Sequence, residues 1–514
     1  MPAPLRIALA LGLVATTGSI PLGAQAPVGV LSLSVRHTTL KNTTRPTGEL
    51  KALVDSLDVQ IATAARLGRT SELRRLYAQA ATVLARRPWT PEAEFASSLV
   101  ARTDRQVADP ARRWSMRVEQ IYAPAITLDR PLVATATLRQ RADGSAPAAP
   151  MRVVKALGTF DAVPRDLRDT PFIIEADLRD VADGTYTVAV ELRDSSRTLG
   201  TAALTLVVRA GLDAAVARLE AAAAKASEPV RSDLLFPVDR LRHVNLNRIA
   251  LNTFNPARDL AAAESVLVAV NARKDPWVGR TGDLKRHYWL EAAGEVMPYR
   301  LYVPKRYTAT TPLPLIIALH GLGATEDSFF DQYGKQLPAL AEERGYIVAA
   351  PLGYRVDGGY GVSLGGSSDD PAASRARMLS EQDVMQVLQA VRTRYAVDTG
   401  RVYLMGHSMG AIGTWAIAAK TPNLWTALGV FSGFGVGTTA TAIRGIPQFV
   451  VHGDADPTVP VAGSRLMVAA LKRAGATVQY VEVAGGDHTN VVAPNFSAMF
   501  DFFATHAQRP AVKP

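Results

Sequence analysis

From about residue 283 onward the chain repeats one pattern: a short apolar run followed by a longer stretch with helical spacing. Leu315 to Leu319, Tyr346 to Ala350, Val402 to Met405, Ala427 to Phe431 and Phe449 to Val451 are near-continuous apolar runs. Val478 to Val483 is a sixth, interrupted by Gln479 and Glu482. A strand that is apolar at successive positions has both faces buried. Such strands alternating with helices predict a mainly parallel sheet with helices on both faces, because a parallel connection needs a crossover long enough for a helix. This reading puts residues 283–508 in the α/β class.

The third run leads directly into Gly406-His407-Ser408-Met409-Gly410, and a small-residue helical stretch, Ala411-Ile412-Gly413-Thr414-Trp415, follows. A serine at a sharp strand-to-helix turn, flanked by glycines two positions away on either side, is a nucleophile elbow. The turn lifts the hydroxyl to the edge of the sheet, and the helix start behind it favours developing negative charge. Ser408 is therefore the candidate nucleophile.

A serine hydroxyl needs a base, and the base needs an orienting acid. In a strand–elbow–helix fold these follow in the order serine, acid, histidine. Three histidines lie downstream: His452, His488 and His506. His488 follows the last apolar run in a glycine-rich loop, Gly485-Gly486-Asp487-His488, and is the predicted base. His452 precedes the candidate acids, and His506 falls in the terminal helix. The acid lies in His452-Gly453-Asp454-Ala455-Asp456-Pro457, at Asp454 or Asp456. An oxyanion needs two backbone N–H donors. The predicted donors are Met409, next to the nucleophile, and Leu322 in His320-Gly321-Leu322-Gly323, with Gly321 as the second choice in that loop. His320 reads as a loop brace. Tyr354, Tyr360 and the stretch Gly358 to Gly366 are expected near the site, and Trp425 and Phe434 are candidates for an acyl pocket or the core.

Together, Leu315 to Gly321, Gly406 to Gly410, His452 to Asp456 and Gly486-Asp487-His488 resemble α/β-hydrolases of the secreted esterase type. The nearest groups are feruloyl esterase and polyhydroxybutyrate-depolymerase-like enzymes, with a relation to prolyl-oligopeptidase-like hydrolases. The resemblance spans about residues 283 to 506. It implies an α/β-hydrolase domain that cleaves a small-molecule or polymeric carboxylic ester through an acyl-enzyme, without metal or organic cofactor. In the family pattern the acid is the second Asp of its segment, with Val-Pro soon after, which is Asp456. The lack of cysteine departs from the depolymerase pattern. A prolyl-oligopeptidase-like peptidase would carry a large propeller ahead of this domain, for which the β-rich segment is too short. An inactive binding or scaffold protein need not keep all three side chains in order.

The rest of the chain reads as several segments. Residues 1–26 carry Arg6, a short apolar run and Ala24-Gln25-Ala26, the marks of a signal peptide and so of a secreted or periplasmic protein. Residues 45–110 are expected to be helical, 111–210 an Ig-like β-sandwich of short strands, and 211–282 a helical connector to the domain at 283–508. No run reaches the roughly 20 apolar residues a membrane span needs. The net charge of +10 is scattered among acids rather than gathered in a basic run, which speaks against nucleic acid as partner. With no cysteine, the chain has neither disulfides nor a thiol nucleophile. The sequence leaves the oligomeric state open.

Overall fold

The computed structural model describes residues 29–128, 130–141, 150–194, 197–363 and 371–506. They form two compact units: residues 88–210, and residues 29–87 together with 211–506. The expected signal peptide lies outside the described residues, as does part of Gly358 to Gly366. Among the described residues no helix is long and apolar enough to cross a membrane.

The described residues begin with three helices of the larger unit, α1 (Val30–Thr44), α2 (Gly48–Arg66) and α3 (Thr70–Leu84). Helix α2 buries Val54, Leu57, Ile61 and Ala64, spaced three and four apart as one apolar stripe requires. Helix α1 has no fully buried residue. Its Ser- and Thr-rich sequence carries no apolar period, so it was not visible as a helix in the sequence. His37 Nε2 pairs with Asp58 Oδ1 at 2.6 Å, and Lys41 also pairs with Asp58, tying α1 to α2.

The smaller unit runs from α4 (Pro91–Ser98) through β1 (Leu99–Thr103), β2 (Val107–Ala108), β3 (Trp114–Gln120) and β4 (Leu132–Gln140). It continues with β5 (Arg152–Val163), β6 (Phe172–Ala176), β7 (Gly184–Asp194) and β8 (Arg197–Val208). The strands make a three-stranded sheet, β1-β3-β6, and a five-stranded sheet, β2-β8-β7-β4-β5. Trp114 and Val118 from the first sheet share one buried cluster with Leu138, Val188 and Leu206 from the second. The helical reading of residues 45–110 fails at its end. Leu99-Val100-Ala101 leaves the helix and pairs antiparallel with β3, Leu99 opposite Gln120, because that pairing buries the apolar run.

Residues 211–282 hold α5 (Leu212–Ala223), α6 (Val230–Asn245) and α7 (Pro256–Asn271). They are less a connector than a layer of the larger unit. Arg240 Nη2 donates to Val296 O at 2.6 Å, and Trp277 Nε1 donates to Asp233 Oδ2 at 2.7 Å. Asp233 Oδ1 lies 2.9 Å from His287 Nδ1.

The main sheet is built from β9 (Gly282–Leu290), β10 (Glu295–Val303), β11 (Leu313–Leu319) and β12 (Ile347–Pro351), then β13 (Val397–His407), β14 (Ala427–Phe431), β15 (Gln448–Gly453) and β16 (Val478–Val483). Their spatial order is β9-β10-β12-β11-β13-β14-β15-β16. The pairs β9–β10 and β10–β12 are antiparallel, and the remaining five are parallel. Between the strands run α8 (Ser328–Asp331), α9 (Gln336–Arg344), α10 (Pro371–Arg394), α11 (Met409–Lys420) and α12 (Ala462–Arg473), and α13 (Phe496–Thr505) is the last helix among the described residues.

Strand β11 shows why its residues are all apolar. Leu315, Ile317 and Leu319 enter a core with Val384, Val387 and Val391 of α10 and Trp415 of α11. Ile316 and Ala318 enter a separate core on the other face, with Leu337 of α9 and Phe496 and Phe500 of α13. Trp415 also fixes α11 to β15, since its Nε1–H donates to Gln448 Oε1 at 2.7 Å with both side chains buried. Replacing Gln448 with Leu orphans that donor, and leaving one buried donor unpaired costs about 1–3 kcal/mol. Urea unfolding of Gln448→Leu should show a loss of that order; unchanged stability would contradict the buried pair.

Candidate active site

Strand β13 ends at His407, and α11 begins at Met409. Ser408 joins them with φ 56° and ψ −118°, a backbone region that costs a non-glycine residue roughly 1–3 kcal/mol. Two glycines make the corner possible. A Cβ on Gly410 would sit 1.9 Å from Leu319 O, and one on Gly406 would sit 2.2 Å from Gly410 O. The Ser408 N–H donates to Phe431 O at 2.9 Å, which ties the corner to β14.

Three side chains from distant parts of the chain converge there. Ser408 Oγ donates to His488 Nε2 at 2.9 Å, and His488 Nδ1 donates to Asp456 Oδ2 at 2.7 Å. Of the two candidate acids, Asp456 is the one beneath the imidazole. Asp454 instead accepts from the Gly485 N–H at 2.7 Å, shaping the loop that leads to His488. Asp456 Oδ1 is occupied by the N–H groups of Thr458 at 2.8 Å and Val459 at 2.9 Å. Burial alone would raise its carboxyl pKa. The hydrogen bonds from His452 and His488, with the charge of His488, outweigh burial and hold it well below the usual carboxylate range. Asp456 is thus ionised across the working pH range.

The loop after β11 runs against the nucleophile: a Cβ added at Gly321 would lie 3.3 Å from Ser408 Cβ. Among the described residues, the Leu322 N–H donates to no backbone carbonyl. Met409 is buried as the first residue of α11. His320 spans the base of the loop, with Nδ1 2.8 Å from Gly321 O and Nε2 2.7 Å from Leu352 O. Burial lowers its pKa, in keeping with a neutral brace. Tyr360 packs beside this loop, its ring centroid 5.7 Å from that of His320. Tyr360 and Trp425 are fully buried core residues, and Phe434 is partly exposed beside Gly463. Tyr354 OH points to Glu295 Oε1 at 3.3 Å. His506 caps the end of α13, with Nδ1 2.8 Å from Phe502 O.

Two neighbours of the trio escaped sequence reasoning. His452, set aside as a base on its chain position, donates from Nε2 to Asp456 Oδ2 at 3.1 Å and to Val459 O at 2.9 Å. The carboxylate therefore serves two imidazoles. His407, inside the elbow motif, donates from Nε2 to the backbone carbonyl of His488 at 2.8 Å and accepts from Tyr333 OH at 3.0 Å. This sets its tautomer and anchors the loop that carries the base. A glycine-flanked histidine gave no sequence signal for that role, and Tyr333 lies 74 residues away.

Outside this site, possible ligand atoms of Asp239, His243 and Glu295 lie within 4.8 Å of one another. Arg240 Nη2 stands 3.5 Å from Asp239 and 3.7 Å from Glu295, and Arg355 bonds Glu295 at 2.8 Å. Cationic side chains already balance these acids, so the donor set fits an ion-pair cluster better than a metal.

Residues 291–455 match the family model Esterase, described as "Putative esterase". The chain is 30% identical over 159 residues to the bifunctional acetylxylan esterase/xylanase of Neocallimastix patriciarum, covering 30% of this chain and 21% of that protein. It is 31% identical over 147 residues to feruloyl esterase B of Neurospora crassa, covering 28% and 47%. To the S-formylglutathione hydrolase of Rattus norvegicus it is 28% identical over 148 residues, covering 26% and 51%. The chain thus spans from about a fifth to about half the length of these relatives. The matched region is of the esterase-type α/β-hydrolase kind, and the family match stops just short of Asp456 and well short of His488.

The buried His407 supplies a pH test. Desolvation, reinforced by His488, pushes its pKa from 6.5 down to about 3. The unfolded chain takes up a proton there near 6.5, whereas the folded chain does not until far lower pH. The stability this group contributes is complete above 6.5 and erodes as pH falls, by about 1.4 kcal/mol per unit. In urea titrations, the stability difference between wild type and His407→Asn should therefore shrink by about 2 kcal/mol between pH 7 and pH 5. A difference independent of pH would contradict a neutral, buried imidazole.

Proposed function

We propose that this protein is a serine hydrolase of carboxylic esters, with Ser408 as nucleophile, His488 as general base and Asp456 as orienting acid. The observation that carries the reading is the continuous hydrogen-bond chain from Ser408 Oγ through His488 to Asp456, at 2.9 and 2.7 Å. Ser408 Oγ attacks the ester carbonyl as His488 Nε2 takes its proton. The Leu322 and Met409 amides, with Gly321 backing the loop, receive the oxyanion. His488 then protonates the leaving alcohol, and water attacks the acyl-enzyme by the same route to release the acid and restore Ser408. Asp456 keeps Nδ1 protonated and stabilises the imidazolium without taking its proton. This chemistry calls on no metal or organic cofactor.

The names of the relatives, acetylxylan esterase and feruloyl esterase among them, support an ester of a small acyl group or a hydroxycinnamoyl group, free or on a polymer. The signal-peptide pattern of residues 1–26 supports export. The shared core of two sheets in residues 88–210 supports an Ig-like sandwich.

A fluorophosphonate probe should label the wild type and leave Ser408→Ala unlabelled. On p-nitrophenyl acetate, Asp456→Asn should retain its fold and lose about 10³–10⁴-fold in kcat, because His488 would adopt the wrong tautomer. Persistent labelling of Ser408→Ala would sink the assignment.

A further inference from the structure

Helix α1 belongs to the same compact unit as the candidate site, although nearly 400 residues separate it from Ser408. Its two ends rest on two different loops of that site. At one end, Gly29 stands beside Asp357, where a Cβ would meet Oδ2 at 3.4 Å. The adjacent Val356 accepts the Gly323 N–H at 2.8 Å, and Gly323 closes the Gly321-Leu322 loop that abuts Ser408. At the other end, Thr39 Oγ1 lies 3.2 Å from Thr458 Oγ1, and Asn42 Nδ2 donates to Pro457 O at 2.7 Å. Thr458 is the residue whose N–H holds Asp456 Oδ1. Ten residues of helix separate Gly29 from Thr39, a rise of about 15 Å. The helix therefore runs from the loop that backs the Gly321-Leu322 turn to the acid loop.

Helical spacing puts Leu31, Val35, Thr39 and Asn42 on one stripe. Thr39 and Asn42 grip the acid loop, so Leu31 and Val35, both half-buried, lie on the same stripe of the helix between its contacts at Asp357 and at Thr458. The opposite side is pinned by Asp58 through His37 and Lys41. We infer that α1 is a substrate-selecting wall of the Ser408 site, its Leu31–Val35 face receiving the part of an ester that extends beyond the reacting carbonyl and favouring an apolar chain or ring there. The inference rests on the ester-hydrolase reading above.

Two measurements test it. The chain has no native cysteine, so a Thr39→Cys/Thr458→Cys pair reports the docking without reference to activity. Mild oxidation of the folded protein should join them, giving a faster-running species on a non-reducing gel that disappears on reduction. Failure to crosslink overturns the placement of α1. In the crosslinked protein, which holds the helix in place, Val35→Asp should lower the ratio of kcat/KM for p-nitrophenyl decanoate over that for p-nitrophenyl acetate at least tenfold, through KM for the decanoate. A ratio within twofold of the parent, with acetate still cleaved, overturns the wall alone. Loss of both activities and of fluorophosphonate labelling in the unmutated protein would overturn the ester reading and this inference with it.

Discussion

Ser408 is held in a backbone conformation that a serine avoids, and the architecture around it exists in a form that keeps it there. The strain is offset by close packing: Gly406 against Gly410, Gly410 against the Leu319 carbonyl, and the Ser408 N–H on Phe431 O. These contacts draw on β11, β13, β14 and α11 at once. The three strands must be parallel and in register for the corner to form, Leu319 beside Gly406 and Gly406 beside Val430. The two apolar cores on either face of the sheet supply the free energy that fixes this register. A single methyl group at Gly410 would force the elbow and the oxyanion-side loop apart.

The remaining members of the site are held by a different kind of force. His488 and Asp456 sit on loops, and their positions depend on polar contacts rather than on packing of apolar surface. Asp456 is fixed by two backbone N–H groups and two imidazoles, and His488 by the carboxylate below it and by His407 through its own carbonyl. His407 links the two systems. It lies in the elbow yet bonds the loop of the base, so nucleophile and base keep a common frame. Because burial keeps His407 neutral, it anchors that loop without placing a positive charge beside the His488 imidazole, the base of the proposed mechanism.

This division explains which parts were legible in the sequence. The six apolar runs became β11 to β16 because two-sided burial leaves its mark on every residue of a strand. Ser408 and His488 were legible because glycines, strand ends and chain order are local or ordinal signals. Asp456 could be separated from Asp454 only through a family pattern, since both stand in the same loop and either could face the base. His452 and Tyr333 were invisible in these roles: a histidine one turn of loop away from an aspartate, and a tyrosine on another segment, carry no spacing that announces a contact. The strand at Leu99 and the helix at Val30 were missed for a related reason. Their conformations are set by partners, β3 in one case and Asp58 in the other, rather than by their own periodicity.

The same division bears on how such a site can change its substrate. The elbow tolerates little alteration, because its geometry is sterically saturated. The loops at Val356, Pro457 and Thr458 keep backbone carbonyls and side chains on their outer surface, where a new element can dock without disturbing the strands beneath. Helix α1 uses that freedom: it contributes no fully buried residue, is tied to α2 through Asp58, and meets the loops by side-chain contacts. A segment held this way can diverge in sequence without disturbing the strained serine beneath it. In the proposed reading, substrate preference and bond-breaking chemistry then fall to physically separable parts of one unit, the first to a helix on its surface and the second to a close-packed corner.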